Sequence, residues 1–508
     1  MPNWRYAGFP TAKVYEDVDG KKGRKAVESL LWGDMFDLLD DSGDGDFVRV
    51  RCRTGEGAKL VEGWMKRDDV LEHPLLEVTF IDIGQGDGCV VYTPGDDGVE
   101  ETRKMMVIDA GEHDNMSRYL RWRLFYPSER RPQHLHAAVI THPDSDHYKG
   151  FGKVFGLKGV TFEHVYHNGL VERKGDRTLG PLAEGNPKVH TDLVKTERRL
   201  KTILDADAIK PGRKLYPDML RKAMNEGAFN SFRMLCADDE FMPGFGPDDD
   251  ITIEVLGPIV ETNDAGKTGL RRIKNDGMTK NGHSVVFRLT YGNVRVLLGG
   301  DLNIPSEELL LETIVGRPLP HGNKREREKF IAEARAQLEV DVAKSCHHGS
   351  ADFSSLFLEC VNPIATVISS GDAEKHSHPR AETLGTIGAC SRGERPLIYS
   401  TELARSVKEK VRDPRKERRE LKALHKEAIT AAKEGTPAER RKAEAKFRKA
   451  VDATIERTVQ TYGAIYLRTD GERAVIGHRY ESNSPSKTWD LCELLPDDDG
   501  RLHFTTKH

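Results

Sequence analysis

Thr141-His-Pro-Asp-Ser-Asp-His147 sets two imidazoles and two carboxylates directly after the apolar run Ala137-Ala-Val-Ile140. A continuous apolar strand of this kind is buried on both faces, as in a sheet covered by helices. The polar segment therefore falls just past a strand end, where α/β proteins gather functional groups. Four such side chains in one tight loop are costly to desolvate and repel one another. A pair of divalent cations between them removes the conflict. The plainer alternative is a polar surface loop whose side chains are simply solvated.

Ligand-type residues at other strand ends weigh against that alternative. Asp301 follows Leu298-Gly-Gly300 at the end of the apolar segment Val294-Arg-Val-Leu-Leu298. His347 and His348 follow Val340-Asp-Val-Ala-Lys344, and Gly349 allows close backbone approach. His378-Pro379 comes after Ala365-Thr-Val-Ile368 and a short loop. Upstream, the strand Leu76–Ile83 leads into Gly84-Gln-Gly-Asp-Gly88, and Met105-Met-Val-Ile108 ends in Asp109-Ala-Gly111. The segments Val285–Leu289 and Val294–Leu298 form a hairpin through Tyr291-Gly-Asn293.

Away from these strands the pattern changes. Residues 1–73 read as five short strands with turn chemistry at Asp41-Ser-Gly-Asp-Gly-Asp46, which suggests a small barrel. Leu31-Trp-Gly-Asp34, Val48-Arg-Val50 and Glu62-Gly-Trp64 resemble bacterial SH3-like domains; a β-rich extension packed on the main domain is the alternative. One main domain is expected over 74–485, with charged insertions at 165–245 and 403–459 and a C-terminal tail at 486–508. The first insertion carries a helix near Thr191–Leu204. The second reads as a helical hairpin: Gly435 stops one helix, Thr436 caps the next, Pro437 takes its first position and Glu439 completes a capping box. Strand character returns at Tyr462–Leu467 and Arg473–Ile476.

Composition sets bounds. The 508 residues exceed one ordinary domain, and no apolar run approaches the roughly 20 residues of a membrane span. Met1-Pro-Asn-Trp-Arg-Tyr6 lacks the pattern of a secretory signal, so a cytoplasmic location is expected. A net charge of −4 gives no global footprint for nucleic acid, although a local basic groove is compatible with it. Seven scattered cysteines without Cys-x-x-Cys argue against a disulfide framework and a structural zinc cluster.

Seven ordered motifs between Phe80 and Pro379 resemble the metallo-β-lactamase superfamily, and within it the nuclease-like domain of ComEC-type competence proteins. They are Ile81-Asp-Ile-Gly-Gln-Gly-Asp87, Val107-Ile-Asp-Ala-Gly111, Thr141–His147, Asn281-Gly-His-Ser284, Leu298-Gly-Gly-Asp301, His347-His-Gly-Ser350 and His378-Pro379. The resemblance implies an α/β (α+β) fold, an αββα sandwich, here with the SH3-like barrel and the inserted hairpin. It implies that His142 and Asp144 hold one metal, Asp146 and His147 the other, with Asp301 bridging. One of His347 and His348 completes the second position, His348 being favoured because it lies against the glycine. Asp87 and Asp109 would fix the ligand loop by hydrogen bonds, with Asn281 or His283 where many members place another histidine. Asp146 and His378 are the expected catalytic groups, His378 contacting the substrate phosphate or assisting the leaving group.

Asp144 departs from the common pattern, which has histidine there. More oxygen donors favour harder ions, so Mn²⁺ competes with Zn²⁺. Two such ions would lower the pKa of a bound water and so supply a hydroxide for attack on phosphorus. The expected function is a two-metal phosphodiesterase or nuclease acting on DNA or RNA. The alternatives are hydrolysis of a small phosphodiester such as a cyclic nucleotide, and an effector or scaffold subunit of a multiprotein, for instance defence, system. Protein partners would then dock on the SH3-like domain and the hairpin, whose basic run Arg412–Arg419 could instead contact nucleic acid; fold alone does not choose among these.

Overall fold

The computed structural model describes residues 3–41, 45–53, 60–96, 102–124, 132–173, 178–206, 215–371, 376–402, 414–459, 463–480 and 488–508. Two sheets face each other across the main core. One has ten strands, in the order Phe229–Met234, Val160–His167, Gln133–Ile140, Met105–Ile108, Cys89–Tyr92, Leu76–Phe80, Ile465–Thr469, Ala474–Arg479, Trp489–Pro496 and Leu502–Lys507. The other has six: Ile251–Gly257, Val286–Tyr291, Val294–Leu298, Val342–Lys344, Ala365–Ile368 and Leu397–Ser400. The first four strands of the larger sheet run parallel, as do the last four of the smaller one.

Strand alternation divides the apolar residues between layers. In Met105–Ile108, Met106 and Ile108 point between the sheets, whereas Met105 and Val107 pack outward with Met116, Tyr119 and Leu120 of helix Asn115–Leu124. On the smaller sheet, Val296 and Leu298 face inward, and Leu297 packs against Leu310, Phe330 and Phe357 of the covering helices. Both faces of these central strands are thus buried, which explains why they read as unbroken apolar runs. The result is helix, sheet, sheet, helix.

The structure corrects several boundaries. Residues 165–245 are not a simple insertion, because Phe229–Met234 pairs in parallel with Val160–His167 as the edge of the ten-stranded sheet. Alternating polar residues on these edge strands hid them from a search for apolar runs. The helix expected near Thr191–Leu204 is Glu197–Asp205, with Thr196 accepting from the Arg199 amide as its cap. Residues 486–508 are not a tail: Trp489–Pro496 and Leu502–Lys507 are the last two strands of the same sheet. Two helices, Pro414–Glu434 and Pro437–Val459, meet at Gly435 and Thr436, where the Thr436 and Glu439 amides each bond to the other residue's side chain. Residues 403–413 of that stretch, 42–44 of the early turn cluster and 486–487 lie outside the described residues.

Seven strands, not five, form the N-terminal sheet, from Trp4–Ala7 to Val70–Leu71, around a core that includes Val14, Phe36, Val50 and Met65. It leans on the ten-stranded sheet through Leu31, Trp32 and Leu75 against Tyr466, Val475 and Leu491. Trp489 Nε1 donates to the Ser29 carbonyl (2.9 Å), and Arg479 pairs with Glu28 (2.7 Å). Deeper in this junction Glu77 is buried against Arg103 (2.9 Å), Arg123 (2.9 Å) and Arg468 (3.1 Å). Burial opposes its charge, but the three guanidiniums outweigh burial and hold its pKa down to about 2.

Candidate metal centre

The loops after the parallel strands meet at one edge of the two sheets. Gly86 lets the glycine-rich turn lie on the Thr141–His147 segment: its φ is +107°, and a Cβ there would stand 1.8 Å from the Asp146 carbonyl oxygen. The Asp87 amide donates to that same carbonyl (3.2 Å). Asp109, His347 and His348 all have positive φ (55°, 48° and 54°). Non-glycine residues in this region cost on the order of 1–3 kcal/mol each and persist where surrounding contacts impose them.

Those contacts also fix which nitrogen each imidazole presents. Asp109 accepts from the Thr141 amide (2.8 Å), the Thr141 hydroxyl (2.6 Å) and His147 Nδ1 (2.8 Å). His147 Nε2 is thereby left facing Asp301 Oδ2 (3.2 Å) and His348 Nε2 (3.3 Å). His348 Nδ1 lies near two acceptors, the Ser369 carbonyl (3.2 Å) and Asp87 Oδ1 (3.1 Å), so it carries the proton and aims Nε2 at Asp301 Oδ2 (3.2 Å). His142 Nδ1 sits beside the Thr141 and Ser284 hydroxyls (3.1 and 3.2 Å). Those hydroxyls donate elsewhere, to Asp109 and to the Asn281 carbonyl, so His142 Nδ1 is the donor there as well. Three Nε2 atoms converge, and with each Nδ1 committed as a donor they are the atoms a metal would take once it displaces their protons.

Charge follows the same plan. For Asp301, burial raises the pKa, but His147 and His348 outweigh it and hold the carboxyl well below its usual range. His142 is pushed well below its ordinary value by burial and by His147, which keeps the ring neutral. Burial works against a proton on His348, yet Asp301 and Asp87 raise its pKa to about 10. His142 Nε2 and Asp301 Oδ1 are buried without a hydrogen-bond partner. Orphaned donor atoms of this type, beside His147, His348 and Asp146, fit a divalent cation. Sets of three donor atoms within 4.8 Å of one another are His142–His147–Asp301, Asp146–His147–His348, Asp87–Asp301–His348 and Asp87–Asp109–His147.

Other expected residues lie elsewhere. Asp144 joins none of those sets; its Oδ1 is paired with Lys280. The Asn281 amide, turned to satisfy its neighbours, donates to Asp144 Oδ2 (2.7 Å), and its other atom lies 3.3 Å from His347 Nε2. His347 is 3.9 Å from Asp301 and half-exposed at the rim, while His348 takes the inner place. The His378 ring centroid stands 5.7 Å from that of His347, outside the donor sets. His283 does not support the ligand loop at all: its Nε2 bonds to the Arg271 carbonyl (2.7 Å). A buried histidine can serve as a strut as well as a ligand, and one motif position cannot distinguish the two.

Two lysines were missed. Lys344 is buried, pairs with Asp87 and donates to the Gly300 carbonyl (2.9 Å), with Asp301 Oδ1 3.7 Å away. Its signal was available, since a lysine ending an apolar strand just before Cys346-His-His348 needs a buried anion. Lys280 also reaches Glu172 (3.5 Å) and the Pro143 carbonyl (3.4 Å). Burial lowers its pKa, and Asp144 and Glu172 outweigh burial and raise it.

Residues 99–347 match the family described as Metallo-beta-lactamase superfamily. Over these residues, just under half of its length, the chain is similar to a metallo-β-lactamase superfamily domain. Its matched segment contains every residue of the four donor sets except Asp87 and His348, which flank it. Zn(2+)-bound PqqB from Methylobacterium extorquens is similar in structure at a TM-score of 0.30 and 8% identity, over 64% of this chain and 97% of that one. A likeness at that level carries no functional statement. No curated protein matches the chain. No helix among the described residues is long and apolar enough to cross a membrane.

Proposed function

We propose that this domain is a metal-dependent phosphodiesterase of that superfamily, acting on DNA or RNA. The observation that supports it is the convergence of His142, His147 and His348 Nε2 on Asp301, beside Asp146. Asp146, His147, His348, Asp301 and His142 would hold zinc or manganese. When bound, the metal supplies Lewis acidity, lowering the pKa of a water and offsetting charge on phosphoryl oxygens. The chain's own part is orientation. Asp109 locks His147, Lys344 holds Asp87 against His348, and Gly86 keeps the turn close to Asp146. At the rim, His347 and His378 would contact the substrate phosphate, and His378 would assist the departing oxygen.

The seven-strand N-terminal sheet is an SH3-like module in this reading, and it and the helical hairpin would bind partners. Purified protein given Mn²⁺ or Zn²⁺ with single-stranded DNA, RNA and cyclic dinucleotides tests the assignment. Metal-dependent cleavage of a polynucleotide is expected. Cleavage of cyclic dinucleotides alone would move the substrate to small phosphodiesters, and no cleavage of any would reject the reading.

A further inference from the structure

We propose that the centre holds one tightly bound divalent ion, and that Lys280, through Asp144, takes the electrostatic place of a second. This rests on the reading of the cluster as a divalent-metal site. The pattern that the sequence resembles assigns His142, Asp144 and Asp301 to a first metal position. In the folded chain both Asp144 oxygens are already engaged, Oδ1 by the Lys280 ammonium and Oδ2 by the Asn281 amide (2.7 Å). Asp144 Oδ2 stays 4.0 Å from His142 Nε2 and joins no donor set. Of the nearby histidines, His283 is turned to the Arg271 carbonyl, and His347, 3.9 Å from Asp301 at the rim, joins no donor set. Among the described residues, that position keeps His142 and Asp301, with His147 shared with the second position.

The second position is better furnished: Asp146, His147 and His348 form one donor set, and Asp301 adjoins the two imidazoles. Asp146, His147, His348 and Asp301 supply four donors, with Asp146 Oδ2 3.7 Å from His348 Nε2 and the closer pairs at 3.2–3.3 Å. Four ligands satisfy zinc, whereas two do not hold it tightly against water. Lys280 is not a loose surface lysine. It stands on the helix Asp276–Gly282 with 14% of its side chain exposed, braced by Asp144, Glu172 and the Pro143 carbonyl. An ammonium fixed there neutralises the carboxylate that a second ion would require. It also offers substrate phosphate a point charge, a role lysine performs elsewhere.

The test is a titration of the metal-stripped full-length chain with Mn²⁺, followed by calorimetry and by electron paramagnetic resonance. One tight ion per chain with the spectrum of an isolated Mn²⁺ is expected. Lys280→Gln should free Asp144 and raise the stoichiometry towards two, with an exchange-coupled spectrum. Asp144→Asn should keep the single tight ion, and Asp146→Asn should lose it. Two ions of comparable affinity in the unaltered chain, an unchanged stoichiometry in a folded Lys280→Gln, or loss of the tight ion in Asp144→Asn would each overturn the inference. Should Lys280→Gln not fold, the unaltered chain and Asp144→Asn still decide. One ion without phosphodiester cleavage rejects only the proposed substrate; two ions with cleavage reject only this inference; no ion rejects both.

Discussion

Two buried charge clusters lie towards opposite ends of the strand Leu76–Phe80 and the turn that follows it, and they are compensated differently. At one end Glu77 is surrounded by Arg103, Arg123 and Arg468, and Arg468 also reaches Asp34 of the N-terminal sheet (3.8 Å). Arginine keeps its charge at every accessible pH, so that cluster is permanently neutralised from within. At the other end Asp87, Asp109, Asp146 and Asp301 meet three imidazoles, whose charge depends on protons, and Asp301 Oδ1 and His142 Nε2 have no hydrogen-bond partner. A cluster closed by fixed cations ties domains together. One balanced by a single lysine, Lys344, and otherwise by imidazoles that can give up their protons is ready to accept a metal instead.

Substitutions should separate the two. The largest effect is expected for Asp301→Ala, which removes the carboxylate shared by His147 and His348 and should reduce metal-dependent hydrolysis to background while the fold persists. Retained activity at matched metal content would break the contrast. Glu77→Ala should do the reverse: it removes the anion shared by three buried guanidiniums, leaving only Asp34 near Arg468, and should cost about 3–5 kcal/mol of stability. Denaturant unfolding measures this, and the surviving folded fraction should still bind metal. If Glu77→Ala instead removed metal binding at full stability, the two clusters would not be independent.

Asp109→Asn should have a smaller effect, because it weakens the hold on His147 without removing a donor. A drop of about 10–100-fold in metal affinity is typical of such a partner, and calorimetry would read it. An effect as large as that of Asp301→Ala would make Asp109 a ligand rather than a support. The smallest expected effect is a pH slope. The pKa of His348 is raised to about 10 by Asp301 and Asp87 against the opposing effect of burial. A raised value means its stabilisation of the metal-free chain is complete below the ordinary imidazole pKa of about 6.5. It is lost as pH climbs through about 10. Thermal unfolding in chelator should therefore show Tm falling across that window, while metal affinity rises as fewer protons must be displaced. His348→Ala should flatten the chelator slope; an identical slope in the variant would assign it to other groups.

Much of this centre could be read from the chain because its donors cluster at strand ends. His142, Asp146, His147, Asp301 and His348 each follow an apolar run, and such runs keep their identity whichever face they bury. Edge strands such as Phe229–Met234 and Leu502–Lys507 were harder, since their polar positions resemble loop or tail sequence. His283 and Asp144 show the limit more sharply. Both fall within motifs, yet one ring is spent on a backbone carbonyl and one carboxylate on a lysine 136 positions away.

By itself, then, the sequence determined the layers and the list of possible donors, because burial periodicity and strand-end chemistry are local properties. Which donors meet, which imidazole nitrogen each presents, and whether a carboxylate faces a metal or an ammonium were decided by tertiary structure. Those outcomes depend on distances of a few ångströms between residues such as Asp87 and Lys344, 257 positions apart in the chain. Local pattern carries no record of such distances.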